Sequence, residues 1–210
     1  MDTQTQFIRL ALVGAPGSGK TLGLPLLRRH ARASGLAART IPEAASIILR
    51  MLKPADPRDL GPVGVFELQR AVFRLQTSLE AAALVAPARP GQACVVLSDR
   101  GALDGEVYLG RDRWHELLAQ ESTDPESLLP RYDAVIHLGC AAGLEALEAY
   151  KAVGVRAEDR ELALRLEERA IEVWSRHPNY RYVPASIDIE AKWSRMYSDF
   201  DALMHTVRRG

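Results

Sequence analysis

Eight consecutive residues, Gly14-Ala15-Pro16-Gly17-Ser18-Gly19-Lys20-Thr21, carry the clearest chemistry in the chain. They match G-x-x-x-x-G-K-[ST] at every fixed position, the pattern of a loop that wraps a polyphosphate with backbone N–H groups. Glycine permits the backbone angles that such a wrap requires. Gly14, Ala15, Pro16, Gly17, Ser18 and Gly19 form the cradle. Lys20 reaches the β- and γ-phosphates, and the Thr21 hydroxyl is a ligand for Mg²⁺. The chemistry expected of the segment is binding of a nucleoside triphosphate, ATP being the leading candidate, together with Mg²⁺.

Further polar groups are candidates for work on the γ-phosphate. The apolar run Cys94-Val95-Val96-Leu97 ends in Ser98-Asp99-Arg100-Gly101. An acid at the carboxyl end of a central strand lies beside the phosphate loop in this class of sheet, so Asp99 is a second Mg²⁺ ligand. Arg100 is a contact for phosphate or substrate. A second apolar run ends Ile41-Pro42-Glu43, where Glu43 is a candidate acceptor for the proton of an attacking hydroxyl. Between positions 140 and 165, Lys151, Arg156 and Arg160 flank Gly154, the composition of a lid that closes cations over a transferring phosphoryl group. Asp104 reads equally well as a substrate contact and as an acid at a helix N-terminus. Phe66, Glu67, Arg70 and Phe73 share one helical face, which reads as packing with a polar edge before it reads as an acceptor pocket. His137 and His177 lack metal-ligand spacing and read as structural.

These groups need a scaffold. Strand-like runs at Phe7–Val13, Ala37–Ile41, Ala93–Ser98, Ala134–Leu138 and Tyr180–Val183 alternate with stretches long enough for crossover helices, which predicts a parallel sheet. Leu22–Ala33 is a helix directly after the phosphate loop, and its N-terminus adds positive potential there. Phe66–Val85 is the longest helical stretch, with Leu68, Val72, Leu75 and Leu79 as its packed face. Glu158–Arg176 reads as an amphipathic helix with Leu162, Leu166, Ile171 and Trp174 inward. Ile187–Val207 reads as a closing helix with Trp193, Met196, Phe200 and Leu203 inward. The proline-rich stretches Lys53–Pro62 and Ala86–Gly91 read as surface loops within a single domain.

Composition narrows the function. The 210 residues include 27 Lys+Arg and 27 Asp+Glu, so the formal net charge is zero. That balance argues against a nucleic-acid partner bound through bulk charge. No apolar stretch reaches the ~18–20 residues that span a bilayer, so no membrane partner is expected. Cys94 and Cys140 are far apart and read as reduced core thiols. With no signal-peptide pattern at Met1 onward, the expectation is a cytoplasmic protein. The sequence does not specify an oligomeric state.

The order of motifs adds a family resemblance. The Gly14–Thr21 loop, Pro42-Glu43-Ala44-Ala45, Asp99-Arg100-Gly101 with Asp104 and Tyr108, Val155-Arg156-Ala157-Glu158, and Trp174-Ser175-Arg176-His177-Pro178-Asn179 follow one another along nearly the whole chain. Together they resemble the AAA-like, kinase-like phosphate-loop family grouped with the nicotinamide riboside kinase domain. The resemblance implies an α/β P-loop NTPase fold: a three-layer sandwich with a central parallel sheet, helices on both faces and a small helical lid. It makes Arg156 a lid arginine, and it matches Glu43 and Asp99 to the family's Pro-Glu and Asp-Arg motifs. Leu22 stands where many relatives carry a second threonine, while Thr21 keeps the metal-binding hydroxyl. The leading expectation is a kinase that passes the ATP γ-phosphoryl group to a hydroxyl of a nucleoside-like or other small-molecule acceptor. Lys20, Glu43, Asp99, Arg100 and Arg156 are its catalytic candidates. The alternatives are a nucleotide-dependent switch or binding module, and a simple NTPase. The chain lacks the Asn-Lys-x-Asp guanine-reading pattern.

Overall fold

The computed structural model describes residues 6–52, 60–85, 92–144 and 157–208. Five strands, β1 (Phe7–Val13), β2 (Ala37–Ile41), β3 (Cys94–Asp99), β4 (Ala134–Leu138) and β5 (Tyr180–Val183), form one sheet in the order β2-β3-β1-β4-β5. Every pairing is parallel. The helices are α1 (Lys20–Ala33), α2 (Ala44–Leu52), α3 (Gly61–Ala83), α4 (Asp104–Leu109), α5 (Arg111–Gln120), α6 (Pro125–Leu128), α7 (Ala157–Trp174) and α8 (Ile189–Val207).

Side chains alternate across a strand, so a sheet covered on both faces needs apolar residues at successive positions. In β1, Ile8, Leu10 and Leu12 join Leu24 and Leu27 of α1 and Met196, Phe200 and Leu203 of α8 in one core layer. Ala11 and Val13 face the opposite layer, with Phe66 and Phe73 of α3, Trp114 of α5, and Leu166, Val173 and Trp174 of α7. The protein is thus a three-layer α/β sandwich of the P-loop NTPase type.

The strands lie within a residue of the runs predicted from sequence, while several helix faces differ. The stretch ending at Pro62 is helical at its end, because α3 begins at Gly61 and takes Pro62 into its first turn, where a missing N–H costs no intrahelical bond. Residues 53–59 and 86–91 lie outside the described residues. The buried stripe of α3 is Phe66, Gln69, Phe73, Gln76 and Glu80, and of the four apolar positions predicted to pack only Leu68 is buried. Hydrogen bonds explain this rotation. Gln76 Nε2 donates to Glu80 Oε1 at 3.0 Å, Tyr132 Oη donates to the same oxygen at 2.6 Å, and Arg131 Nη2 donates to Glu80 Oε2 at 2.8 Å. In α7 the inward residues are Ala163, Leu166, Glu167, Ala170, Val173 and Trp174, whereas Leu162 is exposed and Ile171 half-buried. Met196, Phe200 and Leu203 of α8 are fully buried and Trp193 is half-buried.

Candidate functional site

β1 lies between β3 and β4, so the segments leaving these strands meet at the carboxyl edge of the sheet, where open α/β sheets bind ligands. The register sets Asp99 opposite Leu12, and Arg100 N–H donates to Leu12 O at 3.0 Å. On the other side His137 pairs with Val13, which brings Gly139 and Cys140 against the loop that follows β1. In that loop Gly14 has φ 140°, and a Cβ there would lie 2.3 Å from Leu138 O. Only glycine fits between the two strands at this point.

Lys20, the first residue of α1, is buried and folds back over its own loop. Its Nζ donates to Gly14 O at 2.7 Å, Ala15 O at 3.0 Å and Ser18 Oγ at 3.1 Å. Burial, reinforced by the nearby Arg100, pulls its ammonium down to about 8. Thr21 is exposed beside it. In the first turn of α1, Leu22 N–H already donates to Gly19 O at 3.1 Å, whereas the N–H groups of Lys20 and Thr21 have no carbonyl one turn back and remain available to an anion.

Asp99 closes β3. Its Oδ1 is buried without a hydrogen-bond partner among the described residues, and burial together with the neighbouring Glu43 carboxylate pushes its carboxyl above the usual range. An orphaned carboxylate oxygen and an exposed threonine hydroxyl are hard-oxygen donors of the kind that Mg²⁺ takes. Among the described residues no cluster of three His, Cys, Asp or Glu side chains would hold a metal alone. A phosphate-loop Mg²⁺ completes its shell with phosphate oxygens and water, so Thr21 and Asp99 fit the ion.

Arg100 has φ 71°, an uncommon backbone conformation for a side-chain-bearing residue and one that concentrates at functional sites. Its Nε is ion-paired to Glu43 Oε1, and Nη1 donates to Gly14 O at 3.3 Å. Its guanidinium lies 5.7 Å from the Tyr108 ring centroid. Burial opposes the charge, but Tyr108, Asp104 and Glu43 outweigh it and raise the Arg100 pKa. Burial would lift Glu43 as well; Arg100 and the Ser46 hydroxyl overcome that and hold its carboxyl below the usual value. Glu43, Asp99, Arg100 and Lys20 thus form one interacting group around Gly14.

The remaining candidates fall elsewhere. Asp104 uses both carboxylate oxygens inside the protein: Gly101 N–H donates to Oδ2 at 2.8 Å and Trp174 Nε1 to Oδ1 at 3.1 Å. A Cβ on Gly101 would strike the Trp174 ring at 2.6 Å, which explains the glycine after Asp99-Arg100. Phe66 and Phe73 are core residues, Phe73 edge-on to Trp114, while Glu67 and Arg70 pair with each other on the surface. Lys151, Gly154 and Arg156 lie outside the described residues. Arg160 Nε donates to Ala142 O at 2.9 Å, which ties α7 to the turn after β4. Buried His177 accepts Asn179 N–H at Nδ1 and lies 2.8 Å from Tyr132 O through Nε2, a structural role as expected.

Sequence reasoning overlooked a polar layer behind the loop. Glu167 of α7 accepts Ala15 N–H at 3.2 Å, Cys140 N–H at 3.1 Å and Tyr182 Oη at 3.2 Å. The fully buried His137 brings Nε2 to 3.2 Å from Glu167 Oε2, off the direction of a good hydrogen bond, and Nδ1 to 3.0 Å from Tyr180 Oη. Lys192 of α8 donates from Nζ to Ser18 O and to Gly139 O, both at 2.9 Å. One signal was present in the sequence: Glu167 and Lys192 occupy the buried phase of their helices, where a charged residue needs an internal partner.

Cys94 and Cys140 are both buried and neither is in a disulfide. Among the described residues no helix is long and apolar enough to cross a membrane. No curated protein matches the chain. A family model described as an AAA domain matches residues 9–192 and so takes in the phosphate loop, Glu43, Asp99, Arg100, Glu167 and Lys192. The chain therefore belongs to this AAA-domain family of phosphate-loop NTPases and is a nucleotide-binding module.

Proposed function

We propose that the chain is an ATP-dependent phosphotransferase acting on a hydroxyl of a nucleoside-like or other small metabolite. The observation that carries this reading is the Arg100–Glu43 ion pair held against Gly14, beside Lys20 and Asp99. A carboxylate at the end of β2 serves transfer to an acceptor. Simple phosphate binding has no use for it. The loop N–H groups and Lys20 hold the polyphosphate. Thr21 and Asp99 would hold Mg²⁺, which when bound neutralises charge on the phosphates. Incoming phosphate oxygens compete with Glu43 for the Arg100 guanidinium. As Arg100 turns to the phosphate, the Glu43 carboxylate loses its counter-ion and gains proton affinity. The acceptor hydroxyl oxygen then bonds to the γ-phosphorus, the bond from that phosphorus to the β,γ-bridging oxygen breaks, ADP leaves with the electron pair, and the hydroxyl proton passes to Glu43. In this reading Arg156 belongs to a lid within 140–165 that supplies a further positive charge, and the chain acts as a single domain.

A second reading is a nucleotide-dependent binding module. The firm hold on Glu43, which lowers its proton affinity before nucleotide arrives, favours it. ADP release across a panel of nucleosides and other hydroxylated metabolites separates the two. A kinase gives acceptor-stimulated turnover that Glu43→Gln slows by ~10²–10⁴-fold, while ATP affinity stays within a few-fold of the original. Turnover unaffected by every acceptor rejects the transferase assignment; acceptor-stimulated turnover that Glu43→Gln leaves unchanged rejects the base role of Glu43.

A further inference from the structure

Three successive carbonyls of the phosphate loop are held from behind: Ala141 N–H donates to Gly17 O at 3.5 Å, and side chains hold the carbonyls on either side of it. Cys140 Sγ lies 2.9 Å from Pro16 O, and Lys192 Nζ lies 2.9 Å from Ser18 O. Every described peptide bond is trans. In a trans peptide plane the C=O of one residue and the N–H of the next point in opposite directions. Fixing Pro16 O rearward therefore aims Gly17 N–H forward, and fixing Ser18 O rearward aims Gly19 N–H forward. Neither N–H donates to another described residue. The first peptide plane of the loop follows the same rule. Gly14 O meets Lys20 Nζ on the front side, and Ala15 N–H points back to Glu167.

We infer that Lys192 and Cys140 are positioning residues of the phosphate site, which aim the Gly17 and Gly19 N–H groups at the ligand by holding the carbonyls of Pro16 and Ser18. The inference rests on the phosphate-loop reading. Lys192 has the stronger claim. It is a buried ammonium, its second bond to Gly139 O fixes it to the end of β4, and Asp188 caps the helix that carries it by accepting Glu190 and Ala191 N–H, each at 3.0 Å. Losing the hold leaves those peptide planes free to rotate, so the cost falls on phosphate affinity whatever base the nucleotide carries.

Calorimetric titration with inorganic pyrophosphate and Mg²⁺, repeated with ATP and Mg²⁺, tests this. Lys192→Met should weaken both ligands by the same factor, about tenfold or more for loss of a charged donor. Phe200→Leu, a core change on the same helix, should lower the melting temperature and leave both affinities in place. Cys140→Ser, which keeps a donor to Pro16 O, should bind pyrophosphate within about twofold of the original protein; Cys140→Val, which has none, should bind more weakly. If Lys192→Met fails to fold, the cysteine pair decides, because a packing role would not separate serine from valine by their donor. Pyrophosphate affinity unchanged in folded Lys192→Met, or equal in the two Cys140 variants, overturns the inference while the phosphate-loop reading stands. Failure of the original protein to bind pyrophosphate rejects both.

Discussion

Lys20 couples occupancy of the loop to pH. In the nucleotide-free protein its ammonium sits among its own loop carbonyls, with burial and then Arg100 drawing it down to about 8. A bound polyphosphate adds negative charge beside it and favours the protonated form. The bound value therefore lies above the free one. Between the two values the complex carries more protons than the free protein, so binding takes up a proton and weakens as pH rises. ATP–Mg²⁺ affinity should be flat from pH 6.5 to 7 and fall from pH 8 to 9. Calorimetry near pH 8 should give a binding enthalpy that depends on the ionisation enthalpy of the buffer. Equal enthalpies in phosphate and Tris buffers at that pH would contradict the assignment.

At the scale of elements, charged residues at buried helical phases do the positioning. Glu80 of α3, Glu167 of α7 and Lys192 of α8 are all buried, and each bonds to a different strand-end or loop segment. Glu80 links α3 to the start of β4 through Arg131 and Tyr132, and Tyr132 Oη accepts Ala102 N–H next to the Asp99-Arg100-Gly101 turn. Glu80→Ala would strand a buried phenol donor and leave Arg131, one-third exposed, without its counter-ion. The expected destabilisation is about 2 kcal/mol, less than for a fully buried pair because water reaches Arg131. The midpoint of urea denaturation measures it. A loss under ~0.5 kcal/mol would place Glu80 among ordinary surface acids.

For the whole molecule, the site stands where elements from both helical layers meet the carboxyl edge of one sheet. α1 and α8 on one face supply Lys20, Thr21 and Lys192, and α7 on the other supplies Glu167. A ligand there bridges layers that separate on unfolding, so binding should stabilise the whole domain. At a free concentration ~100 times Kd, ATP–Mg²⁺ adds ~2.7 kcal/mol, which in a domain of this size raises Tm by roughly 5–10 °C. Lys20→Met should abolish most of that rise. A Tm insensitive to ATP–Mg²⁺ would contradict nucleotide binding, whichever use the protein makes of the γ-phosphate.

Local patterns in the sequence determined the strands, the phosphate loop and the parallel class of the fold. A buried parallel strand needs a short apolar run, and a phosphate cradle needs glycines and a lysine at fixed spacing, so both are written within a few neighbouring residues. Asp99 and Glu43 were legible as strand-end acids for the same reason. The Arg100–Glu43 pairing was not, since it joins residues far apart in the chain and depends on β2 and β3 lying side by side. The polar face of α3 also misled a reading by hydrophobicity, because Gln76 and Glu80 go inward only where Tyr132 and Arg131 wait to bond them. The layer behind the loop is a tertiary fact altogether. Glu167 and Lys192 meet Ala15 and Ser18 across 152 and 174 residues of chain, and such contacts exist only once α7 and α8 have packed on opposite faces of the sheet.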